Sequence, residues 1–156
     1  MTNESFLGHS LNAVDAKSRL SIPSAFRDVI VGRSESRTVV VSLHERATCL
    51  VGYDARRPAK LQSEVEARFA GDYGDARDNH VRAAFGTSEM LPIDDTGRIV
   101  LSANMKDLAE IERSVLFWGM GEFFEIWNPR LFLENPGVDP RLVRLVRRQL
   151  EAKGEA

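Results

Sequence analysis

Twice in this chain an aspartate precedes an arginine by four residues: Asp15 and Arg19 in VDAKSRLSIPSAFRDVI, Asp94 and Arg98 in IDDTGRIVLSANMKDLA. A carboxylate at the head of a tight turn accepts backbone N–H bonds from residues just beyond it. The arginine then stands at the mouth of the next strand, free to fold back onto the acid or to reach solvent. A guanidinium presented outward suits phosphate oxygens and guanine edges, and Lys17 adds a second cation to the first loop. The spacing fits both a structural staple and a contact to DNA.

The two segments align without a gap, 79 residues apart. Val14 meets Ile93, Leu20 meets Ile99, Ile22 meets Leu101, Phe26 meets Met105, and Arg27 meets Lys106. Each loop therefore sits in one copy of a repeated unit. RLSIP alternates like a half-buried strand, Pro23 opens a short helix over SAFRDVI, and TVVVSL with TCLVGY reads as a hairpin. The second copy runs through SEMLPI, the turn DDTG, RIVL, the helix SANMKDLAEI and a hairpin of SVLFWGM with FFEIW. Between them lie two helices broken at GDYG, the first with Leu61, Val65 and Phe69 spaced by four. The division is 1–54 for the first half, 55–86 for a helical connector, 87–134 for the second half and 135–156 for an amphipathic tail. Neither ββαββ half can bury both faces of its strands alone. The expected fold is mainly β with peripheral α helices, two pseudo-twofold halves packed sheet to sheet and closing a small β-barrel.

At 156 residues, 43% hydrophobic and 28% charged, the chain has the composition of one globular domain. No apolar run approaches the ~20 residues of a membrane span. MTNESFLGHS lacks a basic start followed by an apolar block, and the single Cys49 excludes an internal disulfide framework, which together predict a cytoplasmic protein. A net charge of −2 argues against coating nucleic acid by bulk attraction, so DNA binding requires arginines clustered locally.

FLGHSLNAVDAKSRLSIPSAFR, LPIDDTGRIVLSANMKDLA and VLFWGMGEFFEIW together resemble the MraZ family of bacterial transcriptional regulators. The resemblance runs from Phe6 to about Phe132. It includes an F-x-G opening at Phe6 and Gly8, both D-x-x-x-R loops, Pro23 with Phe26 and Arg27, and the Glu125-Ile126-Trp127 ending. It implies a double AbrB-like fold of swapped hairpins, one chain mimicking an AbrB dimer. It also implies a ring-shaped homo-oligomer that binds direct repeats in double-stranded promoter DNA of the division and cell-wall gene cluster, at the nucleoid. Carried onto this chain, Lys17, Arg19 and Arg98 contact DNA, and Asp15 and Asp94 orient the loops. Four positions depart from the family pattern: Ser18 for a turn glycine, Asn12 for a histidine, Ser102 for a proline and Lys106 for an arginine.

Other residues invite chemistry less. Arg141, Arg144, Arg147 and Arg148 fall on one side of a tail helix opposite leucines and valines, either an accessory arm for DNA or membrane, or the solvated face of a packed helix. Trp118, Phe123, Phe124 and Trp127 suit a hairpin core before an interface. His9, His44 and His80 lie in different elements without metal-ligand spacing, and Cys49 falls in a predicted strand. Asp94 and Asp95 could coordinate a cation, although a paired acid in a turn is far more often solvated, and no glycine-rich phosphate loop is present. The expectation is a protein with no catalytic residues, metal, cofactor or small-molecule ligand. The runner-up is an oligomeric protein-interaction scaffold whose Asp–Arg pairs serve only stability, and a third, more distant option is a small-molecule-responsive barrel.

Overall fold

Period-two alternation and β-branched residues set the strands. In the computed structural model, which describes residues 4–154, Leu11 in β1 (His9–Ala13) and Leu20 in β2 (Arg19–Ser21) are buried between more exposed neighbours. The outermost residues of the first half and of the tail, 1–3 and 155–156, lie outside the described residues. After β2 come α1 (Ser24–Ser34), β3 (Thr38–Leu43) and β4 (Leu50–Asp54), then the connector helices α2 (Arg57–Phe69) and α3 (Asp75–Gly86). The pattern then repeats as β5 (Glu89–Pro92), β6 (Arg98–Val100), α4 (Ala103–Leu108), β7 (Ser114–Gly119) and β8 (Phe124–Trp127). Helices α5 (Pro129–Glu134) and α6 (Pro140–Ala152) follow. Pro23 stands one position before α1, as its N-cap, and Asp139 caps α6 by accepting the Arg141 N–H.

The two expected hairpins form, β3 against β4 and β7 against β8. The remaining pairings cross between halves: β1 with β7, β5 with β3, β4 with β8 and β2 with β6. The main sheet runs β1-β7-β8-β4-β3-β5, and exchanging the two halves maps that order onto itself. The pseudo-twofold relation read from the repeat is therefore a property of the hydrogen-bonded sheet.

The expected closed barrel is not formed among the described residues. The six-stranded sheet is open, with β1 and β5 at its edges, and β2 and β6 form a separate two-stranded ribbon. The turns explain this. Asp15 N–H donates to Arg19 O, starting a hairpin, but β2 then leaves β1 and pairs only with its counterpart from the other half. Each ribbon strand is three residues long and gives way at once to a helix, leaving too little strand to bridge the sheet edges.

Helix α1 delivers Phe26, Val29 and Ile30 to the main core, and α4 delivers Met105. Phe26, Phe6 and Phe124 form an aromatic triangle with ring centroids 5.0 to 5.4 Å apart. The F-x-G opening has a physical basis here. Phe6 inserts its ring and exchanges backbone bonds with Gly121, while Gly8 takes φ +89° and accepts the Gly119 N–H. Arg33, nearly buried over the Phe6 ring, donates to the carbonyls of Glu4, Gly121 and Glu122 and pairs with Asp54, tying this segment to the β7–β8 hairpin.

A second cluster joins Leu11, Leu116, Trp127 and Phe132 to Val146 and Leu150 of α6. The tail helix is therefore packed on the sheet with Arg141, Arg144, Arg147 and Arg148 exposed. Where β4 crosses β8, a methyl on Gly52 would overlap the Phe124 ring, so the central strand pair depends on a bare backbone. Gly52→Ala is expected to lower stability by about 1–3 kcal/mol through overpacking, read as a reduced denaturant midpoint with unchanged m-value.

Candidate nucleic-acid interface

The first loop is built around one carboxylate. Asp15 Oδ1 accepts the backbone N–H groups of Lys17 and Arg19, both at 2.9 Å, and Oδ2 accepts Arg19 Nε at 2.7 Å. The second loop repeats this around Asp94. Its Oδ1 accepts the N–H groups of Thr96 and Arg98 and the Thr96 hydroxyl, all at 2.9 Å, and Oδ2 accepts Arg98 Nε at 3.0 Å. Backbone bonds from Arg19 and Arg98, followed by the other donors in each loop, hold both carboxyls below the usual carboxylate range against the opposing cost of desolvation. The staple read from the spacing is present in both halves. It consumes only Nε of each arginine, and neither guanidinium donates an Nη hydrogen bond among the described residues.

The β2–β6 register decides where those guanidinium groups go. Arg19 pairs with Val100, Leu20 with Ile99 and Ser21 with Arg98. Side chains on a strand alternate, and directly paired residues share a face. Leu20 and Ile99 are both 1% exposed and point into the core. Arg19, Ser21, Arg98 and Val100 therefore share the outer face. The turns lie at opposite ends of the ribbon, yet the arginines are diagonal neighbours with backbones roughly 7–8 Å apart. Their side chains are 31% and 33% exposed. Lys17 is exposed at the tip of the first loop.

Residues 84–134 match a family model described as "MraZ protein, putative antitoxin-like". "Transcriptional regulator MraZ" of Methylocella silvestris is 34% identical, covering 98% of this chain and 92% of the relative's length. Proteins of the same name from Beijerinckia indica and Rhodospirillum rubrum are 36% and 32% identical, over 95% and 87% of this chain and 88% and 87% of their own lengths. The chain belongs to the MraZ family.

Two differences between the halves of the repeat explain each other. In this MraZ-family chain Gly97 takes φ +85°, and Arg27 of the first half lies against it, so that an added Cβ would meet the guanidinium at 2.5 Å. At the equivalent turn Ser18 takes φ +61°, and the equivalent cation is Lys106 of the second half, which donates to Ser18 Oγ at 2.9 Å. The slimmer lysine leaves room for a side chain and hydrogen-bonds it. Ser102, the counterpart of Pro23 in the repeat, caps α4 by accepting the Met105 N–H, whereas Pro23 supplies no side-chain cap. Asn12 donates to the Ser21 carbonyl, joining β1 to β2.

Sequence reasoning missed four cations beside the loops. Arg27 and Lys106 enter the sequence reading as a charge-keeping exchange and as positions of the resemblance, but nothing there puts them beside the loops. Arg37, just before β3, donates through Nη2 to the Asp94 carbonyl at 2.7 Å, and its own carbonyl accepts the Ile93 N–H. Arg113, just before β7, accepts the Val14 N–H in the matching way and is exposed. Neither lies in a motif, and the signal that would have found them is the pairing of β5 with β3 and β1 with β7.

One further cluster resembles a metal triad. Ligand atoms of His44, Cys49 and Glu125 lie within 4.8 Å of one another. His44 Nδ1 accepts the N–H groups of Arg46 and Ala47, so the ring proton sits on Nε2 and points at Glu125 Oε2, 3.2 Å away. That nitrogen has no lone pair for a metal. Burial, reinforced by the Glu125 charge, pushes the Cys49 thiol far up, so it stays protonated. Glu125 also accepts Trp127 Nε1 at 2.9 Å, and the group is a buried polar network.

Gly97→Ala is expected to cost about 1–2 kcal/mol from its left-handed backbone, with added crowding at Arg27. Ser18→Gly trades relief of strain against a lost hydrogen bond and should stay within about 1 kcal/mol of the parent. Urea unfolding of the two variants checks the contrast. The depressed Asp15 and Asp94 carboxyls stabilise the fold above their unfolded value of 3.8 and lose that contribution as pH falls through their lower folded values. Melting temperature should therefore drop on acidification below that value, less steeply in Asp94→Asn.

Proposed function

We propose that this chain is a cytoplasmic, non-enzymatic transcriptional regulator that binds double-stranded promoter DNA at the nucleoid through the outer face of the β2–β6 ribbon. The observation that carries this reading is the shared solvent face of Arg19 and Arg98. The major groove of B-DNA, about 12 Å wide, admits a two-stranded ribbon, and this ribbon offers a partly exposed arginine from each strand. Each arginine is oriented by its aspartate through Nε, leaving its terminal nitrogens for phosphate oxygens or guanine edges. The name carried by the relatives supports regulation of transcription.

Exchange of β1 and β2 into the opposite half supports a swapped-hairpin, AbrB-like reading, with halves 1–54 and 87–134 acting as the two members of a dimer. One chain brings few cations, in keeping with its net charge of −2. A homo-oligomeric ring would set several ribbons against direct repeats and multiply weak contacts through effective concentration. The target in this reading is the promoter of the division and cell-wall gene cluster. Nothing in the loops calls for a cofactor or small-molecule ligand. Among the described residues no helix is long and apolar enough to cross a membrane.

The same Nε contacts also suit a scaffold in which the Asp–Arg pairs are structural only, and one comparison separates the two. In Arg19→Ala the Asp15 carboxylate keeps both backbone bonds, and a solvent-screened ion pair adds little to stability. Arg19→Ala and Arg98→Ala should therefore keep melting temperature and oligomer size nearly unchanged while weakening binding to duplex from upstream of the gene itself. Normal DNA binding by both variants would leave only the scaffold.

A further inference from the structure

The cations around the two loops come from both halves of the chain. Lys106 reaches from α4 to Ser18 of the first loop, while Arg27 reaches from α1 to Gly97 of the second. Arg113 joins the backbone ladder beside Val14, immediately before Asp15. Arg37 does the same beside Ile93, immediately before Asp94, and also donates to the Asp94 carbonyl. None of the four forms an ion pair among the described residues, although Arg56, Arg57, Arg68 and Arg141 elsewhere on the surface each hold a carboxylate. Lys106 has two ammonium protons to spare, and Arg37 keeps four of its five donors.

We propose that each loop is one part of a composite phosphate-binding site completed by the opposite half. Lys106 and Arg113 join Lys17 and Arg19 at the first loop, and Arg27 and Arg37 join Arg98 at the second. The ligand is the sugar–phosphate backbone of duplex DNA, and the inference rests on the ribbon reading given above. Asp15 accepts three bonds and Asp94 four within their own turns, so they repel a phosphate less than free carboxylates would. The two sites differ in strength. The first sets four cations against Asp15, and the second sets three against Asp94 and Asp95. Neither half carries a complete site alone, which gives the crossing of β1 and β2 into the other half a role in binding as well as in folding.

The slope of binding affinity against salt, normalised per bound chain, tests this with the full-length protein and duplex from upstream of the gene. Arg113 is the cleaner probe because its exposed side chain makes no hydrogen bond among the described residues. Arg113→Gln and Arg37→Gln should each lower the slope by about 1, as expected for one lost phosphate contact, with melting temperature unchanged for Arg113→Gln. Arg113→Lys and Arg37→Lys should keep the slope. If Arg19→Ala weakens binding while both glutamine variants keep the parental slope, the composite site is overturned and the ribbon reading stands. A loss in Arg37→Lys equal to that in Arg37→Gln would make Arg37 a support for the Asp94 loop, overturning its place in the site. If Arg19→Ala and Arg98→Ala also bind like the parent, the ribbon reading fails and this inference fails with it.

Discussion

Leu20 and Ile99 face each other where the two halves meet, and each is withdrawn almost completely from solvent. They are equivalent residues of the repeat, so the pseudo-twofold axis of the ribbon passes between them. Strand side chains alternate, and burying this pair forces both neighbouring arginines outward onto the same face. A slip of one residue would turn the arginines into the core and the aliphatic pair into water. Core and candidate interface are two faces of a single register.

That register would hold a less useful surface if the guanidinium groups were free to wander. Each aspartate collects its backbone donors first and then takes the arginine Nε, so a long side chain is restrained near its end while its terminal nitrogens stay unbonded. Restraint applied before binding lowers the ordering cost of any later contact. The staple, which the spacing allowed alongside an outward contact, is formed in the folded loop and leaves the terminal nitrogens of each arginine unspent among the described residues.

The halves are related but not interchangeable. Gly97 beside Arg27 and Ser18 beside Lys106 are two solutions to the same crowding, one removing the side chain and the other shortening the cation. Each solution spans the two halves, because the helix that supplies the cation and the turn that receives it belong to different copies of the repeat. The tail helix breaks the symmetry further by covering Leu11, while Met90, its counterpart in the repeat, is left exposed.

Local features were legible in the sequence because local physics decides them. The aspartate-headed turns, the two hairpins, the Asp139 cap and the break at GDYG each follow from a few neighbouring residues, and the repeat announced the pseudo-twofold relation. The resemblance points to Lys17, Arg19 and Arg98 as contacts to DNA; Lys17 is exposed and the two arginines are partly exposed. Barrel closure was misread because it depends on how far β2 and β6 extend after their turns, and strand period does not encode that length. Arg37 and Arg113 carry no motif, and only the pairing between halves places them beside the loops. His44, Cys49 and Glu125 look unrelated along the chain until β4 pairs with β8. The sequence by itself determined the turn chemistry and the repeat, because a carboxylate within four residues of its donors needs no distant partner. The tertiary structure decided which way the arginines point and which cations surround them, because both depend on strand pairing between residues far apart along the chain.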